Sequence, residues 1–320
     1  MSVLRSRLSA ICLTLTLALA ASVSLAQSMP ELRLQALSES TYFVQGDLGL
    51  ASTSNRGFNS NAGLVITDQA VIVIDALGTP ALAEELIAAI RKITSKPITD
   101  VIVTHYHADH YYGLQVFKQQ GARILAAKPA LQVIGGPDMA ARLEERKQSL
   151  SLWVDDSFRV ISPDVLIDKP SRMNLGGASF WLIPAGPAHT AEDLVVLSER
   201  DGVLFAGDLM FAGRIPFVGT ADTKGWMRAI EALIARQPKV IVGGHGPASR
   251  NAAKDLGFTL NYLKDLRSKM ANAVRDLKSF DEAYAEIDWS TYAAMPAFDA
   301  AHRRNAYNVF LSMEQEALGK

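Results

Sequence analysis

The sequence predicts an α/β protein with a helical C-terminal extension, and three patterns predict it. Short β-branched runs, such as Val101-Ile102-Val103, recur as far as Val242 and end in polar or glycine-rich turns. A segment of helical period, residues 80–93, separates two of these runs and gives the signature of a βαβ unit. From Ala252 onward the helical period takes over, with Leu256, Leu260, Leu263 and Leu266 at helical spacing.

Residues 1–8 carry Arg5 and Arg7 and no acid, residues 10–25 are apolar or small, and Ser24-Leu25-Ala26 resembles an A-x-A cleavage site. This reads as a secretory signal peptide, residues 1–26, cleaved after Ala26. The apolar core falls short of the roughly 20 residues a membrane span needs. No stable membrane insertion is therefore expected after cleavage, and the protein is expected in the periplasm or outside the cell. Arg5 and Arg7 are not adjacent, which gives the twin-arginine route no support. Cys12 lies inside the apolar core and is a poor lipidation site. It is the only cysteine, so the mature chain would have no disulfide, no thiolate ligand and no cysteine nucleophile.

Residues 40–47 read as an edge strand, and residues 62–75 as a hairpin turning at Thr67-Asp68-Gln69. The helix at 80–93 has Thr79 as N-cap and Pro80 in its first turn. A buried strand follows at 100–104, then a helix at 111–120 closed by Gly121, then a strand at 123–126. Residues 128–152 read as helical, broken at Gly135-Gly136-Pro137, and their charged run 142–147 reads as a solvated face. Trp153, Phe158 and the residues to Asp168 read as irregular, either lining a pocket or capping the sheet edge. Strands at 173–184, 194–198 and 203–208 follow, then a helix at 223–236 and a strand at 239–242. Residues 27–280 form the expected main domain. Residues 281–320 form a helical extension ending in a helix at 303–318, with Trp289, Tyr292 and Phe298 as packing residues.

Five of the six histidines lie at strand ends. His105, His107 and His110 share one loop with Asp109. His189 follows a Gly/Pro turn, Asp208 ends an apolar run, and His245 ends another in Gly243-Gly244-His245-Gly246. Imidazoles and carboxylates at this density suit Zn²⁺ or a similar first-row ion. His105 and His107 can project to one side, while Asp109 and His110 turn toward a second position. A loop that is merely rich in histidine does not explain the same pattern at four strand ends. His302 alone, in a charged helical context, looks ordinary.

The set His105-x-His107-x-Asp109-His110, then Gly186-Pro187-Ala188-His189-Thr190, Gly207-Asp208 and Gly244-His245-Gly246, resembles the metallo-β-lactamase superfamily over residues 42–249. Asn61-Ala62-Gly63 and Ile74-Asp75 resemble its opening hairpin. The stretch from Phe205 to Gly219 is similar to periplasmic zinc metallohydrolases associated with quinoprotein and sulfur-oxidation systems. The resemblance implies an αββα sandwich of two mixed sheets flanked by helices. It implies two Zn²⁺ per chain, with Fe or Mn²⁺ compatible with the same donors. His105, His107 and His189 would hold the first ion, Asp109, His110 and His245 the second, and Asp208 would bridge them. A hydroxide shared by the ions would then attack the substrate. Asp109 and Asp208 are the expected catalytic carboxylates, and Asp109 fits either of two parts, ligand or orienter of the hydroxide. Asp75, Thr104 and Thr190 are expected behind the ligands, and Arg214 and Tyr111 are candidates for substrate contact.

The mature chain would have 30 basic and 33 acidic residues, a net charge near −3. That is no footprint for nucleic acid or an anionic membrane. Asp208 is similar to the aspartate of glyoxalase II and related thioesterases, lactonases and phosphodiesterases. Lactam hydrolysis is expected at most as a side activity. The expected function is a periplasmic dinuclear zinc hydrolase of a small ester, thioester or lactone, with a functional link to a quinoprotein dehydrogenase. The alternatives are a mononuclear-iron persulfide dioxygenase-like enzyme and an accessory protein of the quinoprotein system.

Overall fold

The computed structural model describes residues 32–319. The expected signal peptide, 1–26, and Cys12 lie outside the described residues.

Two mixed sheets face each other. The first, in the order β1 to β7, contains Gln35–Ala36, Thr41–Val44, Ala62–Ile66, Val71–Ile74, Ile98–Ile102, Arg123–Ala127 and Val165–Ile167. Its first four strands are antiparallel and its last three join in parallel. The second has the order β12-β11-β10-β9-β8, from Val240–His245, Val203–Phe211, Leu194–Ser198, Ala178–Pro184 and Ser171–Leu175, with β11 and β12 parallel. Phe43, Ile72, Ile102, Phe180, Val196 and Phe205 fill the space between the sheets. Alternate residues of the same strands face outward, because successive side chains point to opposite faces.

Helices cover both outer faces. On the first sheet α1 (Pro80–Ile93), α2 (Ala108–Tyr111), α3 (Leu114–Gln119), α4 (Ala130–Val133) and α5 (Pro137–Ser149) share an apolar cluster. The Thr79 hydroxyl accepts the Leu82 N–H and caps α1, as expected from the Thr-Pro start. On the second sheet the cover is α6 (Thr223–Ala235), α7 (Ala252–Arg275), α8 (Phe280–Glu286), α9 (Ser290–Ala293) and α10 (Phe298–Ala317). The fold is the expected αββα sandwich with a helical C-terminal region. No helix among the described residues is long and apolar enough to cross a membrane.

Several boundaries differ from the sequence reading. Residues 40–47 are not an edge: β2 is inside, covered by the two-residue β1. Residues 173–184 are two strands, because Gly176 and Gly177 both take positive φ and turn the chain back. The irregular stretch before Asp168 contributes β7, a three-residue strand too short to leave a periodic signal. The helix expected at 111–120 is the pair α2 and α3, separated at Tyr112-Gly113, and the last helix begins at Phe298. Within the charged run 142–147, Arg146 and Lys147 are half-buried. Trp153 and Phe158 line a cavity of about 270 Å³ with Pro80, Glu84 and Leu152, while Phe158 also packs on Tyr112 at 4.3 Å between ring centroids.

His302 is not an ordinary helical surface residue. It is fully buried, stacks on Phe298, meets Trp289 edge to face and lies tilted against Tyr262. Burial pulls its imidazole down to about 4, so it is neutral at pH 7. Its Nδ1 lies 3.0 Å from the Tyr262 hydroxyl, which also accepts from Asn305 Nδ2 at 2.9 Å. Asn305 in turn accepts the Val218 N–H and donates to Pro216 O. The C-terminal helices thus grip the 215–218 segment that follows β11.

Candidate metal centre

All seven expected ligands converge. His105, His107, His189 and Asp208 form one cluster and Asp109, His110 and His245 another, with the donor atoms of each within 4.8 Å of one another. The first sheet delivers four of them, on the loop after β5 and the first turn of α2. The second delivers His189 after β9, Asp208 within β11 and His245 at the end of β12.

Asp208 departs from the sequence reading in one respect. The strand does not end there; β11 runs on to Phe211, and its register against β12 slips between Phe205 and Gly207 and again before Phe211. Gly207 supplies the positive φ of this bulge, and a Cβ there would press into Thr104. The bulge re-aims Asp208 into the site from mid-strand. Gly244 leaves the room: a Cβ on it would stand 1.8 Å from Asp208 Oδ1.

The two Asp208 oxygens face different clusters. Oδ2 lies 3.3 Å from His189 Nε2 and 3.7 Å from His105 Nε2. Oδ1 lies 3.2 Å from His110 Nε2 and 3.4 Å from His245 Nε2. His189 Nε2 and His107 Nδ1 are 3.0 Å apart, and Asp109 Oδ2 is 3.5 Å from His245 Nε2. Donors around a tetrahedral ion with bonds of about 2.1 Å stand roughly 3.4 Å from one another. His105 Nε2, His110 Nε2 and Asp208 Oδ1 are buried without a hydrogen-bond partner among the described residues. Buried polar atoms are rarely left so, and here they point at one another. The donor set fits metal ions.

Neighbours set the tautomers. Asp75 Oδ1 accepts the Thr104 N–H at 2.7 Å, and Oδ2 accepts the Thr104 hydroxyl at 2.8 Å. With its proton committed to Asp75, Thr104 Oγ1 accepts from His105 Nδ1 at 3.1 Å. His110 Nδ1 donates to Asp75 Oδ2 at 2.9 Å, and His245 Nδ1 donates to Asn59 O at 2.6 Å. All three Nε2 atoms are then free to ligate. Asp75 holds this position with φ of 62°, a strained conformation for a residue with a Cβ.

The electrostatics follow from burial and charge. Burial draws His105 and His189 downward, His189 to about 3, which keeps them neutral. Burial also acts against a charged His110, but Asp208, Asp75 and Asp109 outweigh it and hold that imidazole well above its usual range. Burial would raise Asp109 and Asp208; His110 and His245 overcome it, bringing Asp109 to about 2 and Asp208 well below normal. The carboxylates are charged and the first cluster of imidazoles neutral, as metal ligands must be.

Some expected contacts fall elsewhere. Thr190 is not behind His189; its N–H and hydroxyl go to Asp193 at 2.8 and 2.9 Å. Tyr111 is a buried packing residue against Tyr106 and Tyr112. Arg214 is fully buried and touches no solvent: Nη1 donates to Gly49 O at 3.1 Å and lies 3.3 Å from His245 Nδ1, beneath the Phe217 ring. Asn59 was not foreseen. Besides taking the His245 proton it donates through Nδ2 to Asp109 Oδ2 at 3.1 Å. Its only sequence signal is two positions of spacing from Asn61, whose amide binds Gly243 O and Gly246 O around His245.

This is the site of a metal-dependent hydrolase, carried on an αββα sandwich. The sequence model of the metallo-beta-lactamase superfamily matches residues 55–245, and the chain belongs to that superfamily. It is 24% identical to the metallo-beta-lactamase type 2 of Elizabethkingia meningoseptica, over 80% of this chain and 95% of that protein. It is 27% identical to the hydroxyacylglutathione hydrolase of Rhodopseudomonas palustris (strain BisA53), over 62% of this chain and 68% of that protein. Among solved structures, the inverting sec-alkylsulfatase Pisa1 from Pseudomonas sp. superposes with a TM-score of 0.70 at 18% identity, over 88% of this chain and 50% of that one.

Proposed function

We propose that the protein is an exported, dinuclear zinc hydrolase that acts on a small ester, thioester or lactone. The observation that carries this reading is Asp208, which turns one oxygen to each of two complete donor sets. A mononuclear redox centre needs only one set, and the second would then be an unexplained assembly of buried charge. A hydroxyacylglutathione hydrolase stands among the relatives beside metallo-beta-lactamases and supports a thioester or ester as substrate.

A bound zinc pair would supply a water acidified toward neutrality and an electrophile for the substrate oxygen. The chain's own residues do the rest. Asp75, Thr104 and the Asn59 carbonyl hold three imidazoles in the ligating tautomer. Asp109, half-buried and anchored by Asn59, is the carboxylate on the open side and orients the nucleophile there. The functional link to a quinoprotein dehydrogenase belongs to the same proposal.

The test is metal content per chain on protein exported to the periplasm and purified without chelator, followed by assay on thioesters, lactones and phosphodiesters. Two zinc ions with ester or thioester turnover support the reading. One iron, with oxygen consumed in the presence of a persulfide, overturns it in favour of a dioxygenase. Two zinc ions with no turnover on any class point to an accessory protein.

A further inference from the structure

The two donor sets are not built alike. The second joins two imidazoles, His110 and His245, to the Asp109 carboxylate and to one oxygen of Asp208. The first joins three imidazoles, His105, His107 and His189, to the other oxygen of Asp208 alone. Asp208 is common to both and cancels from the comparison. Asp109 remains as the difference, a full negative charge among the donors of the second set, and a divalent ion is attracted to it accordingly.

The groups behind the ligands divide the same way. Both imidazoles of the second set donate their Nδ1 protons to strong acceptors, His110 to Asp75 Oδ2 at 2.9 Å and His245 to Asn59 O at 2.6 Å. Asp109 is held at two points, its Oδ2 by Asn59 Nδ2 at 3.1 Å and its carbonyl by the Ser60 hydroxyl. Of the first set only His105 has a comparable partner, the Thr104 hydroxyl at 3.1 Å. His189 is buried, yet its Nδ1 has no hydrogen-bond partner among the described residues. Aromatic rings stand around it instead, Trp226 at 4.9 Å and Phe211 at 5.9 Å between centroids. His107 is exposed, and the only hydrogen-bonding neighbour of its ring among the described residues is His189 Nε2, a fellow donor. Partners of this kind orient a ligating imidazole and make it a stronger donor, and losing one typically costs about 10- to 100-fold in metal affinity. A buried N–H without an acceptor adds its own desolvation cost.

We propose that the ion of the second set is resident and that of the first exchangeable, so that free zinc gates hydrolysis by filling or emptying the site of His105, His107 and His189. This rests on the dinuclear reading and deepens it, adding control of the centre by the zinc level of its compartment. The second set has the extra anion and a partner on every imidazole. The first has one unsupported ligand, His189, and one open to solvent, His107, which is the only exposed donor of the seven.

The test starts from the full zinc-loaded protein with its histidines labelled in nitrogen-15, equilibrated against zinc buffers of falling free concentration. Zinc per chain, the imidazole nitrogen signals and turnover of a 4-nitrophenyl ester are read on the same samples. The expected result is two steps, separated by about tenfold or more in free zinc. In the first step one zinc ion leaves, the signals of His105, His107 and His189 move, and turnover falls with them. His110 and His245 move only in the second. Asn59→Ala keeps the carbonyl that takes the His245 proton but frees Asp109, and should weaken the ion of the second step alone, by about tenfold. Release from His110 and His245 first, loss of both ions in one step, full turnover by the one-zinc form, or an Asn59→Ala protein with both steps unmoved overturns the proposal. The two readings separate in the same data. Two zinc ions that support turnover but leave together remove the order and keep the dinuclear hydrolase. A chain that saturates at one zinc ion, held by His110 and His245, removes the dinuclear hydrolase and keeps the preference for that set.

Discussion

The Nδ1 proton of His110 is donated to Asp75 Oδ2 across 2.9 Å, and the same carboxylate fixes Thr104 and through it His105. One residue that touches no metal position therefore orients a ligand in each cluster. Asp75→Ala should weaken metal affinity about 10- to 100-fold, read by competition with a chelating dye. Asp75→Asn can still accept the Thr104 N–H and should fall between the two. Wild-type affinity in Asp75→Ala would remove this orienting role.

Gly244→Ala places a methyl group against Asp208 Oδ1 and His110 Cε1. The backbone there is strand, so circular dichroism should match the wild type. Displacing the carboxylate by about 1 Å should cost roughly 100-fold in turnover and at least one metal ion. Elemental analysis and the esterase assay read both.

Asp208→Ala removes a donor from both clusters at once. The expected result is loss of at least one metal and nearly all hydrolysis, measured on the same sample. Retention of two metals with full activity would exclude a bridging position.

His302 gives the fold a pH dependence of its own. Its imidazole falls from about 6.5 unfolded to about 4 folded. A value depressed by folding contributes stability that is complete above pH 6.5 and is lost as pH falls toward 4. The full difference is roughly 3 kcal/mol. His302→Gln keeps a partner for Tyr262 but cannot titrate. Urea midpoints at pH 7 and 4.5 should drop further in the wild type than in the variant, and comparison of the two cancels the ligand histidines. Parallel drops would show that His302 is not the titrating group.

The convergence of the His and Asp residues was legible because all of them but Asp208 sit where an apolar run gives way to a turn, a pattern that local sequence carries. The sandwich followed from the resemblance those motifs carry. The bulge at Gly207 was not legible, since Phe205-Ala206-Gly207-Asp208 reads equally well as a strand ending. Asn59 was missed because its role depends on the β2–β3 connection lying beside His245, a contact across 186 positions of sequence. Arg214 misled for the opposite reason. Lying just past a ligand loop suggested an open position, and the grip of Asn305 on Pro216 and Val218 instead folds that segment inward.

The donors are shared between two sheets, four residues from one and three from the other. Neither sheet carries a complete donor set, and His189, Asp208 and His245 reach the rest only because the two sheets pack over Phe43, Phe180 and Phe205. Metal retention thus reports on the docking of the two sheets. A chain with its halves wrongly docked would keep its helices and its apolar bulk, yet emerge from purification without metal.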